Sequence, residues 1–262
     1  MKLCASNIAW QSVHDEAVYR LMEDSWFEGL EIAPSRVFPD RPYEHLQEAP
    51  KFAAVMKKSW GLSVVSMQSL WYGMPQRIAG SQQEREELRS CTMKALYFAD
   101  AMDCRNIVFG CPKNRRTEKP EDIPAVEEFI ADIAGEAGKL GVVIALEPNP
   151  QIYGTNFINT TREAIDFVSR VNLPSLKVNL DFGTIIANGE TPAEFAEYLP
   201  LINHVHISEP ELAPIRMRSE HAKLSGMLKK SGYAGCVSIE MKKREGLSEL
   251  KEAIEYVRRV FA

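Results

Sequence analysis

The sequence is poor in the marks of a secreted, membrane-spanning or nucleotide-binding chain, and each absence removes a class of function. Its five cysteines, Cys4, Cys91, Cys104, Cys111 and Cys236, are odd in number and never spaced as CxxC, which argues against a disulfide framework and a thiolate metal site. They read as packing thiols in a reducing cytosol. No run reaches the roughly 18 unbroken apolar residues that a membrane span needs, and Met1-Lys2 leads straight into a strand-like stretch without a cleavage pattern. A cytoplasmic protein with no membrane partner is expected. Cations are outnumbered, 31 Lys and Arg against 36 Asp and Glu, and the net charge of −5 gives no electrostatic reason to bind nucleic acid. No GxGxxG turn follows the first strand-like run and no GxxxxGK[ST] loop occurs, so neither a dinucleotide-binding sheet nor a P-loop is expected.

What the chain does contain is alternation. Its 262 residues, 45% hydrophobic and 26% charged, suit a folded α/β domain. Strand-like runs lie at about Lys2–Ile8, Gly29–Ala33, Leu62–Gln68, Asn106–Gly110, Val142–Glu147, Leu176–Asp181, Ile202–Ser208 and Cys236–Glu240. Amphipathic stretches follow near Ala17–Ser25, Pro50–Trp60, Glu84–Met102, Ile123–Leu140, Thr161–Val171, Thr191–Leu199, His221–Ser231 and Leu247–Phe261. Eight strand–helix units predict one (β/α)8 TIM barrel over residues 1–262, in preference to an open doubly wound sheet. The longest irregular stretches, 34–49, 69–83 and 111–122, all follow strands, and in a barrel they sit on the face that carries active sites.

Four consecutive strands end in a residue able to bind a hard cation: Glu147, Asp181, His206 and Glu240. Side chains alternate along a strand, so Ala145, Asn179, His204 and Ser238 share the inward face one layer below. Three carboxylates and one imidazole converging on one arc of the mouth call for a counter-ion. With no thiolate in the set, the expected cofactor is one divalent metal ion, Mn2+, Mg2+ or Co2+, with Zn2+ permitted. His204 is placed beneath His206 as hydrogen-bonding support rather than as a ligand.

These residues carry a family resemblance. Ala-Leu-Glu-Pro at 145–148, Asn-Leu-Asp-Phe-Gly at 179–183, His-Val-His-Ile-Ser-Glu at 204–209 and Gly-Tyr-Ala-Gly-Cys-Val-Ser-Ile-Glu at 232–240 resemble the xylose-isomerase-like barrels. That superfamily comprises sugar and sugar phosphate isomerases and epimerases. The resemblance implies that Glu147, Asp181, His206 and Glu240 bind one metal and that Glu147 and Glu240 flank the substrate as catalytic residues. Many members carry a histidine shortly after the strand-6 aspartate, where this chain has Thr184.

Other residues near strand ends are candidate substrate ligands. Lys113, Arg115 and Arg116 form a basic patch after strand 4, and Arg216 and Arg218 follow strand 7; an arginine fork suits phosphate or carboxylate. His221 is placed on the mouth side of its helix, while Trp10, Trp71 and Tyr72 can wall the apolar face of a sugar. Glu31 and Gln68 end strands 2 and 3 and offer hydrogen bonds; His14 and His45 read as surface residues. The function expected is a metal-dependent isomerase or epimerase of a small sugar, sugar phosphate or related polyol-ketone, acting through an enediolate with paired glutamates as acid and base. A dehydratase of a cyclic polyol ketone, an apurinic-endonuclease-like phosphodiesterase and a non-catalytic sugar-binding barrel are the other readings. The expected partner is a small carbohydrate, with homo-oligomer formation left open.

Overall fold

A parallel strand covered on both faces reads as a short apolar run, and the eight such runs of this chain are its eight strands. The computed structural model describes all 262 residues. The strands are β1 (Lys2–Ser6), β2 (Gly29–Ile32), β3 (Ser63–Met67), β4 (Asn106–Phe109), β5 (Val143–Leu146), β6 (Leu176–Asp181), β7 (Ile202–Ile207) and β8 (Cys236–Ile239). Each pairs in parallel with its sequence neighbours and β1 closes on β8, which completes the predicted (β/α)8 barrel.

Around it lie α1 (Asp15–Asp24), α2 (Pro34–Val37), α3 (Ala49–Trp60), α4 (Gln82–Ala101), α5 (Ile123–Lys139), α6 (Thr161–Val171), α7 (Phe182–Asn188), α8 (Ser219–Lys230) and α9 (Ser248–Phe261). Local chemistry sets their ends. Ser81 with Glu84, and Thr160 with Glu163, form reciprocal capping boxes that satisfy the first free N–H groups of α4 and α6. Gly61 closes α3 at φ 66°, a left-handed turn that glycine enters without strain. The apolar stripe of α6 buries Ala164, Ile165, Phe167 and Val168 against the barrel, and each large side chain so removed from water contributes about 1.5–3 kcal/mol.

Two expectations change. The stretch expected as helix at Thr191–Leu199 is a 3-10 run, Pro192–Leu201, with Pro200, which has no N–H to donate, in its last turn. The helix α7 was not expected: its sequence FGTIIAN has a glycine and β-branched residues and no amphipathic period. Asp181, the last residue of β6, caps it by accepting a bond from Thr184 N, so the strand passes into helix without a loop. No helix is long and apolar enough to cross a membrane.

Candidate metal and active site

The ends of β5 to β8 build a cluster at the barrel mouth. Glu147 follows β5, Asp181 ends β6, His206 is the penultimate residue of β7 and Glu240 follows β8; Asp181 and His206 are direct cross-strand partners. One ligand atom from each of the four lies within 4.8 Å of the other three. Asp181, His206 and Glu240 are buried, and the Glu147 side chain is 12% exposed. Backbone room is part of the arrangement: a Cβ at Gly110 would come within 2.7 Å of Glu147 Oε2.

Neighbouring side chains fix each member of the cluster. Asn179 Nδ2 donates to Glu147 Oε1 at 2.7 Å, and Asn149 Nδ2 donates to Oε2 at 3.0 Å. Asp181 accepts from Ser208 Oγ on one oxygen, and from Thr184 N (2.7 Å) and Thr184 Oγ1 (2.8 Å) on the other. Thr184 is thus fully buried and braces the Asp181 carboxylate. His206 turns Nδ1 toward Glu147 Oε1 (3.0 Å) and Glu240 Oε2 (3.2 Å), while its Nε2 lies 3.0 and 3.1 Å from the two oxygens of Glu31.

Glu31 is the residue whose part the sequence concealed. It sits at zero exposure on β2, holds Nε2 of His206, and lies 2.9 Å from His204 Nε2 at an angle outside hydrogen-bond geometry. Gln68 Nε2 donates to Glu31 at 3.1 Å and to Ser6 Oγ at 2.8 Å, so Glu31 is occupied beneath the site, while Gln68 joins it to the cavity wall. Burial opposes the Glu31 charge, but the two imidazoles outweigh it and hold its carboxyl well below the usual range. An ionised Glu31 keeps a proton on Nε2 and leaves Nδ1 facing the carboxylate cluster.

Charge in the cluster is unbalanced. Burial, then the Glu147 and Glu240 carboxylates, push Asp181 up to about 7. Burial and neighbouring carboxylates likewise raise Glu240, whereas at Glu147 the bonds to His206 and Asn149 overcome burial and lower it. Three carboxylates crowded against one imidazole form a donor set that fits a divalent cation, whose charge would relieve this repulsion.

Above the cluster opens a cavity of about 590 Å³ whose wall includes Glu147, Asp181, Glu240, Gln68, Trp71 and Lys113. Asn149, Tyr153 and Leu212 also line it and were not singled out from sequence. Asn149 had a signal, since it stands two residues after Glu147 and so returns to the same side. Trp71 shows the cavity little surface, because its ring packs edge-on against Phe109 and its Nε1 donates to Thr92 Oγ1 at 3.1 Å.

Four expected substrate ligands are corrected. Arg115 is not on the rim: it is fully buried, and its guanidinium donates to Glu147 O (2.7 Å), Asn149 Oδ1 (3.0 Å) and Ile158 O (3.2 Å), tying the loops after β4 and β5 together. His221 does not face the mouth; it is buried against Phe182 at 4.1 Å between ring centroids, with Nδ1 3.0 Å from the Tyr256 hydroxyl. Arg218 spends its fork on the buried Glu209 at 2.8 and 2.6 Å, and neither it nor the exposed Arg216 lines the cavity.

Residues 20–260 match the family described as the xylose isomerase-like TIM barrel, and the chain belongs to that family. Among its relatives, a Xenopus laevis protein named "Putative hydroxypyruvate isomerase" is 33% identical over 124 residues, 44% of this chain and 43% of that protein. The match therefore spans less than half the length of that curated relative. The D-psicose 3-epimerase of Clostridium cellulolyticum H10, solved with D-tagatose, superposes with a TM-score of 0.79 at 19% identity over 100% of this chain and 99% of that one. The 3-keto-D-glucoside 4-epimerase of E. coli gives 0.77 at 18% identity over 99% of both. A family 2 AP endonuclease of Brucella melitensis gives 0.74 at 23% identity over 97% of each. At these identities the likeness is one of fold, and three different reactions share it.

Proposed function

We propose that this protein is a divalent-metal-dependent isomerase or epimerase of a small polyhydroxylated carbonyl compound: a sugar, a sugar phosphate or a related polyol-ketone. The observation that carries the reading is the convergence of Glu147, Asp181, His206 and Glu240 beneath an open cavity of about 590 Å³. These four would hold the cation, His206 through Nδ1. When bound, the cation supplies positive charge to a carbonyl oxygen and its neighbouring hydroxyl, the charge that an enediolate requires.

The chain's own groups handle the protons. Glu147, lowered by its His206 and Asn149 bonds, is the carboxylate that takes the proton from the carbon beside the carbonyl. Glu240, raised by burial, is the group that delivers a proton. Asn149 and Asn179 fix both Glu147 oxygens, so the base meets the substrate in one orientation. The loop after β3, through Ser69, Tyr72, Met74 and Pro75, forms one side of the mouth. The test is metal analysis followed by proton–deuterium exchange in D2O across ketoses, ketose phosphates and cyclic polyol ketones. Deuterium at the carbon beside the carbonyl is expected only with metal present; its absence from the whole panel with the metal-loaded protein refutes the reading.

A further inference from the structure

Two further lobes border the cavity above the cluster: one of about 710 Å³ on the β4 side, which shares Met74, Pro75, Lys113 and Asn114 with it, and one of about 790 Å³ toward α4, which shares Ser69, Tyr72 and Met74. The charge on the two lobes differs. On the α4 side, Arg41 and Lys94 both pair with Glu44, and Glu86 and Glu87 add negative charge, so nothing there attracts an anion. On the β4 side stand Arg77, Lys113 and Arg116 against Glu118 alone. Glu118 pairs with Arg77, while Lys113 and Arg116 are exposed and have no carboxylate partner.

The turn that presents these two cations is built rather than loose. Between them in sequence, Asn114 and Arg115 are both buried, the first donating to Met74 O (2.9 Å) and Gln76 O (2.8 Å), the second clamped on the loop after β5. On the far side, Asn156 accepts from Thr117 N at 3.0 Å and donates to Thr117 O at 3.0 Å. Two inward residues thus hold Lys113 and Arg116 outward on a fixed backbone, and a fixed turn loses less entropy on binding. Lys113 lines both the metal-site cavity and the basic lobe, so it is the first cation met by a substrate tail leaving Glu147 and Glu240.

We infer that the basic lobe formed by Arg77, Lys113 and Arg116 binds a phosphoryl group carried by the substrate, either a sugar phosphomonoester or the diphosphate of an activated sugar. The identity of the bound molecule rests on the isomerase reading; the anion site itself does not. The test uses calorimetric titration of the Mn2+-loaded protein and its Lys113→Gln/Arg116→Gln variant with D-fructose, D-fructose 6-phosphate, UDP-glucose and inorganic phosphate. The wild type is expected to hold one of the two phosphorylated sugars at least about tenfold more tightly than D-fructose, and the variant to lose about that factor for the phosphorylated sugar alone. Preference for D-fructose 6-phosphate assigns the monoester, and preference for UDP-glucose the diphosphate. Three results overturn the inference: phosphorylated sugars binding no better than D-fructose, equal loss for both kinds of sugar, or a loss confined to inorganic phosphate, which marks an adventitious ion only. If no sugar exchanges deuterium while the variant-sensitive anion binding persists, the isomerase reading fails and the anion site stands.

Discussion

The bond between Glu31 and His206 is the feature whose removal tests most of the site at once. Glu31→Gln keeps the shape of the side chain and removes its charge. In the native site both Glu31 oxygens lie within 3.1 Å of His206 Nε2. A glutamine offers only one acceptor, and its amide nitrogen is a donor. It no longer rewards a proton on Nε2 once a cation has displaced the one on Nδ1, so Nδ1, which faces Glu147 and Glu240, competes to keep its proton and becomes a poorer ligand. Loss of such a carboxylate behind a ligating histidine costs about 10–100-fold in metal affinity, or about 1.4–2.7 kcal/mol. The fold should survive, since Gln68 keeps its bond to Ser6 Oγ. Calorimetric titration of chelator-stripped protein with Mn2+ reads the affinity, and circular dichroism checks the fold. Glu31→Asp, which keeps the charge but withdraws it by one methylene, should fall between wild type and Glu31→Gln. A folded Glu31→Gln protein that binds Mn2+ as tightly as wild type refutes the orienting role and, with it, the assignment of Nδ1 as the ligating atom.

Four further outcomes are expected. Glu147→Gln and Glu240→Gln should each abolish deuterium exchange with the fold intact, because each removes a proton carrier and a negative ligand; near-normal exchange by either moves proton transfer elsewhere. Arg115→Met should lower stability by about 2–4 kcal/mol in denaturant titration, since three buried acceptors lose their donor, and a KM effect without destabilisation would return Arg115 to the rim. His221 is pushed down to about 4, chiefly by burial. Its contribution to stability is therefore complete above about pH 6.5 and lost as pH falls toward 4, where the unfolded chain takes up the proton first, at most about 3 kcal/mol. His221→Phe should flatten that part of the stability–pH curve; an unchanged curve places the acid sensitivity in other groups. Finally, burial opposes a charge on His206, but the surrounding carboxylates outweigh it and hold the imidazole protonated well above its ordinary range. A cation must displace that proton, so Mn2+ affinity should rise with pH, and a pH-independent affinity would exclude His206 as a ligand.

By itself the sequence determined the strands, their order and the four residues at their mouth. The strands and the residues that end them are local properties: a short apolar run of about five residues marks a strand covered on both faces, and the residue that ends a barrel strand is at the mouth whatever lies elsewhere. Glu147, Asp181, His206 and Glu240 were therefore legible without any knowledge of contacts. Only the tertiary structure decided what surrounds them. Glu31 meets His206 across 175 residues of chain, through barrel closure that no local pattern records. In the non-periodic turn after β4, nothing in the run Lys113-Asn114-Arg115-Arg116 tells which side chains face inward. The carbonyls of Glu147 and Ile158, 32 and 43 residues away, draw Arg115 in, and Lys113 and Arg116 are left to the solvent and to a ligand. His221 likewise follows Phe182 and the Tyr256 hydroxyl rather than the mouth, because a buried imidazole goes where a ring and a hydrogen-bond partner coincide, and both arrive from other turns of the barrel.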